Sequence, residues 1–258
     1  MKACFAKMLL ATSVALSPTM LHGLPITKTL TLQVYQICDN SGLNCASTGP
    51  VGDMFFSTAT NTIWAQAGIS VLYNFVGQIN STNFSFIDDN VVGRKFDDLT
   101  AGYHFQSTTI VDMFLVHSVS GAYGEGSYGR GGLVLNMDAI LAYAAGGRID
   151  TMAHELGHNF GLVDPLDPHY SNADPEHSTN PNELMAGGGS RNVPLTVADI
   201  NPNGSGYDLI SASQIAFARK SSLLHDIVAP EPGTFVLFGV GVLGVIIIRR
   251  RRAGSITA

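Results

Sequence analysis

The segment at residues 151–164, T-M-A-H-E-L-G-H-N-F-G-L-V-D, constrains the fold of this chain more than any other stretch. His154 and His158 are four residues apart, so a helix would place both imidazoles on one face, about one turn from each other. That spacing suits two corners of a tetrahedral zinc site, and Glu155 lies beside them. The opposite helical face carries an apolar row that predicts packing onto a core, with the imidazoles pointing into a cleft: Ile149, Met152, Leu156 and Phe160.

Both ends of this helix are marked in the sequence. Asp150 is a good N-cap residue, and Gly161 stands where a left-handed C-terminal turn favours glycine. A sharp stop at Gly161 would let the chain double back, so that Asp164 reaches the same metal as the two histidines. Three protein ligands would then leave a fourth position for water.

The third ligand has alternatives in the sequence. Residues 165–181 are rich in Pro, Asp, Asn, Ser and His, which predicts a long irregular surface loop. His169 and His177 lie in this segment, and either is an alternative third ligand to Asp164. Glu176 and Glu183 are weaker candidates.

These residues resemble a known family. The string H-E-L-G-H-N-F-G-L-V-D at residues 154–164 is similar to the extended zinc motif of the metzincin metallopeptidases, in the snapalysin-like variant whose third ligand is Asp. A second stretch, N-E-L-M-A-G-G-G at residues 182–189, resembles the metzincin Met-turn, which implies that Met185 packs beneath the metal without bonding it.

The resemblance implies a fold and an activity. The fold would be α+β and zincin-like, with a mixed twisted sheet, an active-site helix and a small irregular C-terminal subdomain. The catalytic domain would occupy residues 24–229, with an upper subdomain at 24–161 and a lower one at 162–229. The activity would be zinc-dependent hydrolysis of protein or peptide substrates through a metal-bound water, with Glu155 as general base. The alternative is a non-catalytic surface or matrix binding protein that keeps this fold.

Both ends of the chain predict targeting. Residues 1–23 have Lys2 and Lys7 before an apolar run, the layout of a secretory signal peptide. Residues 230–252 run from Pro-Glu-Pro through an apolar segment to four arginines, and they resemble the PEP-CTERM sorting signal of Gram-negative bacteria. This implies an inner-membrane helix at about residues 233–248, recognition by an exosortase-type enzyme, and a cell-surface or extracellular product. A permanent tail anchor is the alternative.

The charge balance argues against nucleic-acid binding. The chain has 14 basic and 20 acidic residues. Setting aside Lys2, Lys7 and the four terminal arginines, and Glu231 on the acidic side, leaves 8 basic and 19 acidic residues. No basic patch would then neutralise phosphates.

Two cysteines remain in the exported domain. Cys38 and Cys45 are separated by six residues, and the simplest expectation in an oxidising compartment is a small-loop disulfide. The alternative is that one thiol caps the zinc and keeps the enzyme latent.

Hydrophobic periodicity predicts the remaining elements. Strands are expected at residues 29–37, 69–75, 109–118 and 133–137, helices at 53–67 and from a capping box at 211–214 to about 225. Because the first strand directly follows the signal peptide, we expect no inhibitory propeptide of the kind metzincins commonly carry. The acidic segment at 80–102 predicts a surface loop with some helix, in which a calcium site is a weak alternative to solvated carboxylates.

A glycine-rich run at residues 121–132 precedes the metal-binding segment. One interpretation is a flexible loop. The other is an edge strand at the rim of the cleft, where missing side chains would let an extended substrate pair through main-chain hydrogen bonds.

Overall fold

The computed structural model describes residues 24–88, 95–103, 109–128, 131–162, 170–171, 174–201 and 206–227. The predicted signal peptide and the whole predicted membrane helix at 233–248 therefore lie outside the described residues. Among the helices that are described, none has the length and apolar character needed to cross a bilayer. The boundary between the two expected subdomains remains a prediction.

The described chain alternates strands and short helices. The strands are β1 (Lys28–Cys38), β2 (Ile69–Asn80), β3 (Phe86–Ile87), β4 (Ile110–Val116), β5 (Ser118–Val119), β6 (Gly124–Gly126), β7 (Gly132–Asn136), β8 (Tyr170–Ser171), β9 (Asp174–Ser178) and β10 (His225–Asp226). The α-helices are α1 (Ser57–Ala65), α2 (Lys95–Tyr103), α3 (Met137–Ala142), α4 (Thr151–Asn159) and α5 (Ala212–Ala218).

A mixed sheet of six strands forms the centre of the fold. β1 pairs in parallel with β2 and with β4, β4 pairs in parallel with β7, and β6 runs antiparallel to β7. The short strand β10 pairs antiparallel with the first residues of β1. The α+β class expected from the sequence is therefore confirmed.

Alternation along β1 supplies apolar side chains to two core clusters. Leu30, Leu32 and Val34 belong to the larger cluster, which also contains the buried faces of α1 and α4. Tyr35 and Ile37 belong to the second cluster, together with residues of α2 and β4. This division follows from the period of two along a strand, which sends successive side chains to opposite faces. Helix α4 is thus fixed against the sheet through its apolar side.

Several predicted elements are confirmed with shifted ends. The strand at residues 109–118 is β4, Ile110–Val116, and the closing helix ends at Ala218 rather than near residue 225. The helix expected at 53–67 begins only at Ser57, because Phe55 and Phe56 have left-handed backbone angles and a short 3-10 turn precedes it. The disulfide between Cys38 and Cys45 is present, so the thiol-cap alternative is wrong.

The acidic segment contains the helix expected within it. Its first residue, Asn80, ends β2, its last part forms α2, and residues 89–94 lie outside the described residues. Among the described residues, the only group of at least three possible metal donors consists of histidines elsewhere in the chain, so no described acidic cluster supports the calcium alternative.

Candidate metal centre

Helix α4 carries the predicted motif, and its ends differ from the prediction in one respect. The apolar row is buried as expected, with Met152 and Leu156 at 1% and 0% exposure. The chain leaves the helical conformation at Gly161, whose φ of +78° is the left-handed conformation predicted for the C-terminal end of the helix. Asp150 occupies the N-cap position, yet its side chain makes no capping hydrogen bond. It accepts instead from Arg191 Nε at 2.8 Å, so the capping prediction is wrong for this side chain.

Three imidazoles meet beside this helix. The metal-ligating atoms of His154, His158 and His177 all lie within 4.8 Å of one another. Their ring centroids are 4.9 Å apart for His154 and His158, and 5.4 and 5.3 Å from His177 to each of them. Three imidazoles at one point form a donor set of the kind that binds zinc.

His177 reaches this point through backbone pairing. It is the fourth residue of β9, and the following residue, Ser178, donates its backbone N–H to Met185 O at 2.7 Å. This bond ties the end of β9 to the predicted Met-turn, which lies against α4. His177 was only an alternative third ligand in the sequence, and the structure places it with the two motif histidines. Asp164 and His169 lie outside the described residues.

His154 is held in one orientation by a main-chain carbonyl. Its Nδ1 lies 2.7 Å from Leu184 O, and in the tautomer that carries the proton on Nδ1 this nitrogen donates to that carbonyl. Nε2 is then the acceptor nitrogen of the ring. Burial, followed by the neighbouring Arg191 cation and His158, holds the pKa of His154 well below its ordinary value. The ring is therefore neutral, which is the form that ligates metals.

Glu155 packs beneath the glycines of β6. A Cβ atom at Gly124 would lie 2.9 Å from Glu155 Cγ and 3.0 Å from Oε1, so only glycine fits there without displacing the carboxylate. Burial raises the pKa of Glu155 to about 8, although Arg191, Arg148 and a hydrogen bond from the backbone of Gly126 act in the opposite direction. A carboxylate with this pKa is a stronger base than free glutamate. A cation held by the adjacent histidines would lower that pKa.

The three histidines and Glu155 line an open cleft of about 970 Å³. The glycine-rich segment at residues 121–128 forms one wall, and Arg148, Arg191 and residues 188–189 also line the cleft. Within that segment β6 is the last strand of the described sheet, so the edge-strand interpretation is confirmed for residues 124–126. Pairing of a substrate with this edge stays a prediction.

Met185 lies against α4 as the Met-turn resemblance implies. Its side chain is fully buried, and a Cβ atom on Gly157 would come within 2.1 Å of its Sδ. Gly157 is thus required for the close approach of the turn to the helix.

Of the two weaker candidates, the side chain of Glu176 lies outside what the structure describes, and Glu183 has partners of its own. Glu183 is buried, but its carboxylate accepts from Ser178 Oγ at 2.7 Å and from the Asn180 amide. His117 pairs with Asp138 at 3.1 Å. The feature that sequence reasoning missed is Arg191, which follows the glycines of the Met-turn with no motif of its own.

Comparison with known proteins gives one family match and several loose structural likenesses. Residues 228–252 match the family model described as the PEP-CTERM protein-sorting motif. A search of curated protein sequences finds no match. The chain carries a PEP-CTERM sorting motif, as its sequence predicts.

Three solved structures show the range of the structural likeness. A zinc-dependent peptidase from Methanocorpusculum labreanum has 12% identity and a TM-score of 0.39, covering 73% of this chain and 99% of its own. Archaemetzincin from Methanopyrus kandleri has 12% identity and a TM-score of 0.41, covering 75% and 95%. Mirolysin in complex with compound 9 has 12% identity and a TM-score of 0.44, covering 75% and 91%. All three scores are below 0.5, so the structural likeness is loose.

Proposed function

We propose that this protein is an exported zinc-dependent endopeptidase. The observation that carries the proposal is the meeting of three histidines with Glu155 in one open cleft beneath an edge strand. Three imidazoles suit zinc, and the neighbouring glutamate has the position of a general base. The PEP-CTERM motif supports export, recognition by an exosortase-type enzyme, and a final place at the cell surface or outside the cell.

Each described residue has a distinct role in this proposal. His154, His158 and His177 hold the metal, and the Leu184 carbonyl fixes the ring of His154 through its Nδ1–H. Zinc, when bound, supplies a Lewis acid that activates water and polarises the substrate carbonyl. Glu155 accepts the proton released as water attacks the peptide carbonyl, and then delivers it to the leaving amine. The glycine backbone of β6 offers an edge along which an extended peptide can lie.

Hydrolysis of casein tests the proposal directly. The purified protein should cut casein with zinc present and stop when a chelator removes the metal. Glu155→Gln should lower the rate by about 10²–10⁴-fold while zinc content is unchanged, because only the base is lost. Asp138→Asn, which removes a carboxylate from a largely exposed side chain that does not line the cleft, is the matched control and should cut like the parent.

Two results would contradict the proposal. If Glu155→Gln cuts as fast as the parent, the mechanism is wrong. If the parent binds zinc stoichiometrically but turns over no protein or peptide library, the chain is instead a binding protein that keeps this fold.

A second experiment identifies the third ligand. We propose His177 for this role, since its ring is the one described beside His154 and His158, and Asp164 remains the prediction from the motif. His177→Ala and Asp164→Ala are compared for zinc stoichiometry, with His117→Ala as the control for loss of a histidine outside the site. Loss of zinc in the His177 variant alone assigns the ligand to His177, and loss in the Asp164 variant alone restores the motif prediction.

Processing of the two termini is tested by mass. Intact mass of the protein recovered from medium and from membranes should show loss of about residues 1–23 and cleavage near residues 230–232. A membrane form that keeps residues 233–258 would instead indicate a permanent anchor.

A further inference from the structure

A cluster of four buried ionisable side chains lies at the start of α4 and beside the predicted Met-turn. Arg148, Asp150, Arg191 and Asp208 are exposed by only 2%, 0%, 8% and 0%. Buried charges are costly to keep, so a set of this size indicates a role that packing alone does not require. Within it, Arg191 is the member that reaches a metal-site histidine.

Arg191 bridges three parts of the site. Its Nε donates to Asp150 Oδ2 at 2.8 Å, at the start of the metal-binding helix. Its Nη1 donates to Leu184 O at 3.0 Å and to Ala186 O at 3.3 Å, on either side of Met185. The same Nη1 contacts Nδ1 of His154.

The approach of Arg191 to the site follows from the local backbone. The N–H groups of Ser190 and Arg191 donate to Gly187 O at 2.9 and 3.0 Å, which closes a tight turn after the Met-turn. This turn places Arg191 next to the first residues of α4. A planar guanidinium can hold a carboxylate with one edge and carbonyls with another, which a single ammonium group cannot do.

We propose that Arg191 is a positioning residue of the metal centre. It fixes the Leu184 carbonyl, and that carbonyl orients His154 by accepting its Nδ1–H. Through Asp150 the same guanidinium locks the first turn of α4 to the Met-turn. Arg191 thereby fixes the position of α4, which carries His154 and His158, relative to the segment that follows His177. The inference rests on the metal site of the proposed function.

The consequence is a measurable loss of metal affinity when Arg191 changes. Residues that orient a metal-ligating histidine typically contribute about 10–100-fold in affinity. A purely structural arginine would lower the stability of the fold without changing the affinity of the folded protein for zinc. Zinc affinity and the free energy of unfolding of the metal-free protein therefore separate the two roles.

The experiment uses the full chain and three variants. Arg191→Met removes the guanidinium, and Arg191→Lys keeps the charge but loses the fork. Arg219→Met is the matched control, since Arg219 also donates to a carbonyl, Ala67 O at 2.7 Å, and to Thr27 Oγ1 at 2.8 Å, but does not line the cleft. Zinc dissociation constants are measured by competition with a chelator, and unfolding is measured in urea without metal.

The expected result is zinc binding about 10–100-fold weaker in both Arg191 variants and unchanged in Arg219→Met. The proposal is overturned if Arg191→Met binds zinc as tightly as the control, whatever its stability, or if Arg191→Lys matches the parent. Should the methionine variant fail to fold, the lysine variant decides alone. Failure of the parent itself to bind zinc would overturn the proposed function, and this inference with it.

Discussion

Replacing Gly157 with alanine tests the contact between α4 and the predicted Met-turn. The added Cβ would lie 2.1 Å from Met185 Sδ and 3.0 Å from its Cε. A methionine side chain is flexible, but Met185 is fully buried among other core side chains. The substitution must therefore displace the turn, the helix or both.

Two effects of opposite sign set the magnitude. Alanine in a helix interior is favoured over glycine by about 1 kcal/mol. Overpacking of a core costs about 1–3 kcal/mol. The free energy of unfolding should therefore fall by up to about 2 kcal/mol, which lowers Tm by up to about 8 °C in a domain of this size.

Urea unfolding of the metal-free protein measures the change, and α2 supplies the control. Gly102 lies in that helix, and a Cβ atom there would meet nothing within 4 Å. Gly102→Ala should therefore stabilise the protein by up to about 1 kcal/mol through helix propensity alone. The same substitution is thus expected to act in opposite directions at the two glycines.

A double-mutant cycle with Met185→Ala isolates the contact itself. In that background the steric conflict is removed, so Gly157→Ala should become neutral or stabilising, with a coupling energy of about 1–3 kcal/mol. If Gly157→Ala costs the same with and without the methionine side chain, the close approach of the Met-turn to the helix is refuted.

Three further predictions follow from the described contacts. Gly124→Ala should lower kcat by about 10²-fold with zinc affinity retained, because its Cβ displaces Glu155; an unchanged kcat measured on casein would contradict this. Burial raises the pKa of Asp208 in the folded protein well above the ordinary value of 3.8. The folded state therefore holds this proton more tightly than the unfolded state, and the free energy of unfolding falls as pH rises above 3.8. Asp208→Asn should therefore unfold at a higher temperature than the parent at pH 7, with the difference shrinking as pH falls toward 4, and a difference independent of pH in calorimetry would exclude this role. Replacing Cys38 and Cys45 by serine opens a loop whose ends are 7 residues apart. The free energy of unfolding measured in urea should fall by about 2.5 kcal/mol, while the folded protein should still cut casein at the parent's rate.

The sequence predicted those parts of the site that depend on local geometry. Spacing of four places His154 and His158 on one helical face, and only a residue without a side chain suits the backbone of Gly161. Alternation along residues 29–37 predicted β1, and the apolar row of α4 predicted which side of the helix faces the core. These features follow from the residue period within one helix or one strand, so they can be predicted without knowing which elements pack against it.

Contacts between distant segments were decided by the tertiary structure alone. The sequence offered Asp164 as third ligand, with His169 and His177 as alternatives, and the hydrogen bond between the end of β9 and Met185 brings His177 to the other two histidines. Asp150 has the sequence signature of a cap, yet Arg191, 41 residues further on, takes its carboxylate. No sequence pattern identifies the partner of a single charged side chain, because the partner depends on which distant segment the fold brings next to it. The sequence therefore determined helix α4 and the face that carries its two histidines, and the tertiary structure determined which residues surround them and hold them in place.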